Sequence, residues 1–216
     1  MQPMNQRSKW LGCALALWMA AAMAGPEEDY QAGAKSFGDG DVVGSMAPLR
    51  TAALAGHPKA QVLLAEILDR SEFDEEALDL YRKAAVQGDP DGMFGLGAML
   101  AAGEGLKKKE PEEARAWILK AAELGHKQAT NVMAQAYMKS ELGLREADRD
   151  SAIAFQWVKR AAENDYLPAV DALVAAYSVG NIWGLAPNKA IADEYQAQAN
   201  RIRNVDPGKG KKKVRR

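Results

Sequence analysis

Cysteine and histidine are almost absent from this chain: among 216 residues there is one cysteine, Cys13, and there are two histidines, His57 and His126. A lone thiol forms no internal disulfide, and two histidines without cysteine neighbours do not make the spacing of a zinc site. Ser-x-x-Lys, the pairing that activates a serine in β-lactam chemistry, does not occur. The glycine-containing loops lack the strand, loop and lysine order that cradles phosphate. Catalysis is therefore not expected, and neither is a cofactor or a metal.

Charge of either sign is scarce as a net quantity, with 28 basic against 29 acidic residues, yet it is unevenly placed. From Gly25 to Asn204 there are 20 basic and 28 acidic residues, whereas Val205 to Arg216 holds six basic residues and one acidic one. An acidic body thus precedes a basic tail, Lys209, Lys211, Lys212, Lys213, Arg215 and Arg216, set off by the helix-stopping Asp206-Pro207-Gly208. Residues 205–216 are expected to be disordered.

The chain has one long apolar run, WLGCALALWMAAAMA at 10–24. It is shorter than the ~20 residues of a spanning helix, follows Arg7 and Lys9, and ends on Ala22-Met23-Ala24. These features predict a signal peptide over 1–24, cleaved after Ala24, with the mature protein in the periplasm or secreted.

What is abundant is alanine, in a recurring phrase. TAALAGHPKA (51–60), KAAVQGDPDG (83–92), KAAELGHKQA (120–129) and RAAENDYLPA (160–169) are four versions of it, and a weaker fifth begins at Gln198. Upstream of each paired alanine the spacing is helical, with Leu80, Trp117, Trp157 and Tyr195 four residues back and Ala77, Ala114, Ala154 and Ala192 seven back. Gly56, Gly88 and Gly125 then stand where a helix ends in the left-handed region, with Asp165 as the fourth member. Asp89-Pro90 and His57-Pro58 read as the cap and first residue of a second helix. Four residues past the turn come Ala60, Gly92, Ala129 and Ala169, small enough for close backbone approach, and then Leu64, Leu96, Met133 and Leu173. Each unit is a pair of helices joined by a tight turn.

The glycine, the alanine four residues on, Leu96-Gly97, Gly103-Glu104-Gly105-Leu106, Ala114, Trp117 and Lys120-Ala121-Ala122 together resemble the Sel1-like repeat, a relative of the tetratricopeptide repeat. The likeness covers about residues 40–203 and fades at both ends, where Pro48 occupies the tryptophan position. The resemblance implies an all-α protein, an α-solenoid wound as a right-handed superhelix, with about four and a half repeats over 25–204. It also implies a scaffold that binds another protein and carries no catalytic residue. Two other roles stay open: a structural protein on the cell wall or a polysaccharide, and a periplasmic immunity protein that neutralises a secreted toxin.

Residues at shared repeat positions read as packing, so candidate binding residues are those that depart from the pattern. Phe94 stands where other copies have Val62, Asn131 and Asp171; Phe155 where they have Leu78, Arg115 and Asp193; Trp183 lies in a loop otherwise made of small and charged residues. These three are the expected anchors for a protein partner. The acidic body, with Glu75, Glu76, Asp79, Glu112 and Glu113 on first helices, points to a basic partner or basic patch. The tail is suited to peptidoglycan or anionic lipid; nucleic acid is not expected, because no aromatics are interleaved with its charges. His57 and His126 share the turn slot with Asp89 and Tyr166 and read as helix caps.

Overall fold

The computed structural model describes residues 25–180 and 182–204, and among these there is no strand. The expected leader at 1–24 and basic tail at 205–216 lie outside the described residues. Ten α-helices follow one another: α1 Pro26–Gly38, α2 Val42–Leu54, α3 Pro58–Asp69, α4 Asp74–Val86, α5 Pro90–Ala102, α6 Pro111–Glu123, α7 Lys127–Lys139, α8 Ala152–Glu163, α9 Leu167–Val179 and α10 Lys189–Asn204. Each packs on the next, and the contacts between non-consecutive helices run among α1, α3, α5, α7 and α9. The chain is an α-solenoid in which the second helix of every pair belongs to one row.

The paired alanines explain how this stack is built. All four pairs and Ala199 are buried, because their methyl groups lie where the first helix of a unit meets its neighbours. Their carbonyls have a second duty. His57, Asp89, His126 and Tyr166 donate backbone N–H to Ala52, Ala84, Ala121 and Ala161 at 3.0–3.2 Å, while Gly56, Gly88, Gly125 and Asp165 donate to Ala53, Ala85, Ala122 and Ala162 at 3.0–3.1 Å. That doubled closure needs a left-handed residue, and the four have φ of 90, 91, 87 and 58°. Only Asp165 has a Cβ there, in a region aspartate tolerates better than most.

The slot residue then opens the next helix. Nδ1 of His57 and of His126 accepts the N–H of Ala60 (3.2 Å) and Ala129 (3.0 Å), and Oδ1 of Asp89 accepts that of Gly92 (2.9 Å). A cap of this kind contributes about 1 kcal/mol. Tyr166 makes no such cap; its hydroxyl donates to Gln135 Oε1 at 2.9 Å, tying α9 to α7 instead.

The core follows the repeat. Leu64, Leu96, Met133 and Leu173 are buried, as are Ala77, Ala114, Ala154 and Ala192, each large aliphatic contributing about 1.5–3 kcal/mol by leaving water. Trp157 and Leu80 are buried as expected, whereas Trp117 and Tyr195 are half-buried. Lys120 lies over the Trp117 ring at 4.0 Å and Arg160 over Trp157 at 4.9 Å, so each indole carries a cation on its outer side.

The helix that the repeat pattern does not announce is α1. It behaves as the second helix of a unit and is seated on α2 through Gly33: a Cβ there would stand 2.6 Å from Leu49 Cγ. The small and large positions after the turn are filled in α1 by Glu28 and Ala32, both exposed, and among the described residues no first helix covers them.

Candidate protein-binding surfaces

The expected anchors fall into two places. Phe94, on α5, is half-buried and stacks on His126 with ring centroids 4.6 Å apart and planes 26° from parallel. His126 Nε2 faces Asp91 Oδ1 at 3.1 Å. The same arrangement recurs one end of the solenoid away, where Tyr30 stacks on His57 at 4.6 Å and Nε2 faces Glu27 Oε2 at 2.9 Å. In both copies Nδ1 accepts a backbone N–H, so the ring proton sits on Nε2; that of His57 is donated to Glu27, and that of His126 faces Asp91. The hydrogen bond from His57, then that from Gln31, holds Glu27 below the usual carboxylate range. The histidines are thus helix caps braced by an aromatic ring and a carboxylate of the preceding second helix.

Phe155 and Trp183 form the other place, and they form it together. Phe155 lies near the start of α8, Trp183 in the loop between α9 and α10, and their centroids are 5.6 Å apart. The Trp183 backbone is left-handed, with φ 52°, and its indole N–H donates to the Arg149 carbonyl at 2.8 Å. One seam earlier the equivalent positions hold Arg115 and Leu142, joined by a hydrogen bond from the guanidinium to the Leu142 carbonyl at 2.5 Å, and Leu142 has φ 53°. The two departures from the repeat are therefore a single exchange, an aromatic pair in place of an arginine and a leucine. Both rings are half-buried, and Lys159 sits 5.8 Å from the Phe155 ring.

The acidic residues expected along the first helices are partly neutralised. Glu76 pairs with Arg50 (2.5 Å), Asp79 with Lys83 (2.9 Å), and Glu113 accepts the Trp117 indole N–H (3.3 Å). The carboxylates without such partners gather elsewhere. A hollow of about 1080 Å³ opens between the residues leading into α4 and the loop after α5, with Glu72, Asp74 and Glu75 on one side and Glu104 on the other. Phe73, 60% exposed, stands at its edge, and Lys107 is the cation on its wall. A second cavity of about 260 Å³ shares Glu104 and adds Glu66, Asp69, Asp91, Tyr81, Phe94 and His126.

The side chains of this second cavity crowd one another electrostatically. Burial raises Glu66, Asp69 and Glu104 above the ordinary carboxylate range, and neighbouring carboxylates add to it, Asp91 and Asp69 for Glu66, Asp74 for Asp69, and Asp69 and Asp74 for Glu104. Arg70 works in the opposite sense on Glu66 and Asp69. The Tyr81 hydroxyl is also pushed up, by burial and then by Glu66 and Asp69. Sequence reasoning missed this cavity, because its carboxylates come from α3, α5 and a loop and only stacking brings them together.

With this geometry in view, the comparisons with known proteins are direct. The Sel1 repeat model matches residues 74–89, 90–126 and 128–166. The chain thus carries three Sel1 repeats. Among solved structures it is similar to c5321, a protective antigen present in uropathogenic Escherichia coli strains and displaying the SLR fold, with TM-score 0.72 and 27% identity. That likeness covers 87% of this chain and 40% of the antigen, so the chain spans well under half of that relative's length. It is likewise similar to a Sel1 repeat protein from Oxalobacter formigenes, with TM-score 0.63 and 27% identity over 81% of this chain and 70% of the other. No curated protein matches the sequence. Sel1 repeats generally serve as non-catalytic scaffolds for protein interaction.

Proposed function

We propose that the chain is a protein-binding scaffold of the cell envelope, exported by its leader, cleaved after Ala24 and acting without catalysis. A stack of helix pairs offers area rather than reacting groups, and affinity then depends on a few aromatic anchors set into it. The observation that carries the reading is the Phe155–Trp183 pair. Two half-buried rings stand where the preceding seam has an arginine and a leucine, and the indole is fixed by a hydrogen bond to the Arg149 carbonyl. Phe94 supplies a second contact in another repeat.

The acidic body favours a partner with a basic face, which would be steered to it over a Debye length of about 8 Å at physiological salt. The basic tail would hold the protein near peptidoglycan or anionic lipid, leaving the helical body for the partner. Affinity capture from a cell-envelope extract, with the wild type beside Phe155→Ala/Trp183→Ala, tests the reading. A protein enriched by the wild type and lost from the variant supports it; an unchanged set of captured proteins removes this pair as the anchor. N-terminal sequencing of the exported protein tests the leader, which predicts a start at Gly25.

A further inference from the structure

We infer that the cavity between α3, α5 and the loop after α5 is a socket for one lysine or arginine side chain of the partner, with the flanking residues of a basic segment lying in the adjoining hollow. This rests on the scaffold reading and gives its partner a chemistry.

Size is the first argument. About 260 Å³ falls below the ~300–1,000 Å³ of small-molecule sites, and one long side chain fits it. Its walls are of two kinds. The Tyr81 and Phe94 rings and Met99 offer apolar surface for a methylene stem, while Glu66, Asp69, Asp91 and Glu104 offer oxygens for a charged head. No lysine or arginine lines it.

Charge is the second. Asp91 already faces His126 Nε2 at 3.1 Å, but Glu66, Asp69 and Glu104 take part in none of the ion pairs or side-chain hydrogen bonds among the described residues. Arg70 lies near enough to Glu66 and Asp69 to act on both, without closing a bond to either. These three carboxylates are held above the normal range, so the site carries an unrelieved cost that a cation would remove.

Spacing is the third. Among the described residues no three metal-ligating side chains come close enough to hold one ion. The oxygens are spread too widely for a bare cation and suit a head with several donors in different directions, as ammonium and guanidinium have. The adjoining larger hollow continues from Glu104 past Asp74 and Glu75 to the exposed Phe73, which gives an extended segment a place to lie. Lys107 on its wall sets a limit on how much positive charge that part accepts.

Fluorescein-labelled oligoarginine and oligolysine, read by anisotropy at physiological salt with the full mature chain, test the socket. Glu66→Gln/Glu104→Gln and Glu123→Gln/Glu163→Gln remove the same net charge, the second pair from exposed positions that line neither cavity. The first pair is expected to weaken the probes by at least about tenfold and the second by less than about twofold. Equal weakening by both, or probes that do not bind the wild type, overturns the socket. Thermal unfolding of both variant pairs verifies that the fold is kept. Capture of the envelope partner separates the two readings. If the wild type enriches a partner and Glu66→Gln/Glu104→Gln enriches it equally, the socket is wrong and the scaffold stands; if the wild type enriches none, the scaffold reading itself fails.

Discussion

Gly125→Ala measures the cost of the turn on which every repeat depends. At φ 87° the residue lies where a Cβ meets the following carbonyl, a penalty of about 1–2 kcal/mol. Nothing lies within 4 Å of the added methyl, so neither a clash nor a filled cavity obscures that term. Escape is also closed. Relaxing φ would break the bond from the residue-125 N–H to Ala122 or that from His126 to Ala121, at about 1 kcal/mol each. The expected loss is about 1–2 kcal/mol, which lowers the melting midpoint by roughly 2–8 °C for a body of this size. Gly38→Ala is the control, an exposed helical glycine with equally open surroundings and no positive φ. Alanine there is expected to be neutral or to stabilise by up to about 1 kcal/mol. Urea unfolding followed by circular dichroism compares the two, and hydrogen exchange at α6 and α7 detects any local opening, since stacked repeats can unfold piecewise. Equal stability of the two variants would refute the claim that backbone conformation selects glycine in the turn.

Three further outcomes are expected. His126→Ala should cost about 0.5–2 kcal/mol in urea unfolding by removing the cap on Ala129, and His126→Asn, which keeps a capping oxygen, should recover most of that loss. Gly33→Ala should speed hydrogen exchange in α1 with little change in α5 or α7, because the new methyl meets Leu49 and nothing farther along. Stability should rise as pH falls from 7 toward the ordinary glutamate value of 4.5: Glu66, Asp69 and Glu104 have raised folded-state pKa values, so the folded chain binds more protons than the unfolded one in that window. Glu27 and Asp148, whose pKa values are depressed, oppose this only lower, where they lose stability as pH falls through their folded-state values. Thermal melts across this range should show the rise, and Glu66→Gln should flatten it.

The repeat architecture is legible because its determinants are local. Paired alanine, glycine and cap lie within a few residues of one another, and the same two backbone hydrogen bonds close all four turns. Helix α1 escapes notice for the opposite reason: residues that mark a second helix are those facing a first helix, and among the described residues none precedes α1, where Glu28 stands at the position others fill with alanine or glycine. Phe155 and Trp183 are visible as departures but not as a pair, since 28 residues separate them and the seam between repeats brings them together. The carboxylate socket is hidden more deeply. Glu66, Asp69, Asp91 and Glu104 occupy unrelated repeat positions, and their common environment exists only once α3, α4 and α5 have stacked.

The central claim is that the repeats make the frame and the departures from them do the binding. The most direct measurement is partner retention by Phe155→Ala/Trp183→Ala and by Gly125→Ala, in the same capture from envelope extract, with the fraction folded measured for each. Loss of the partner from the aromatic variant, and retention by the turn variant despite its lower stability, is the predicted result. Retention by both, or loss that follows stability alone, would contradict it.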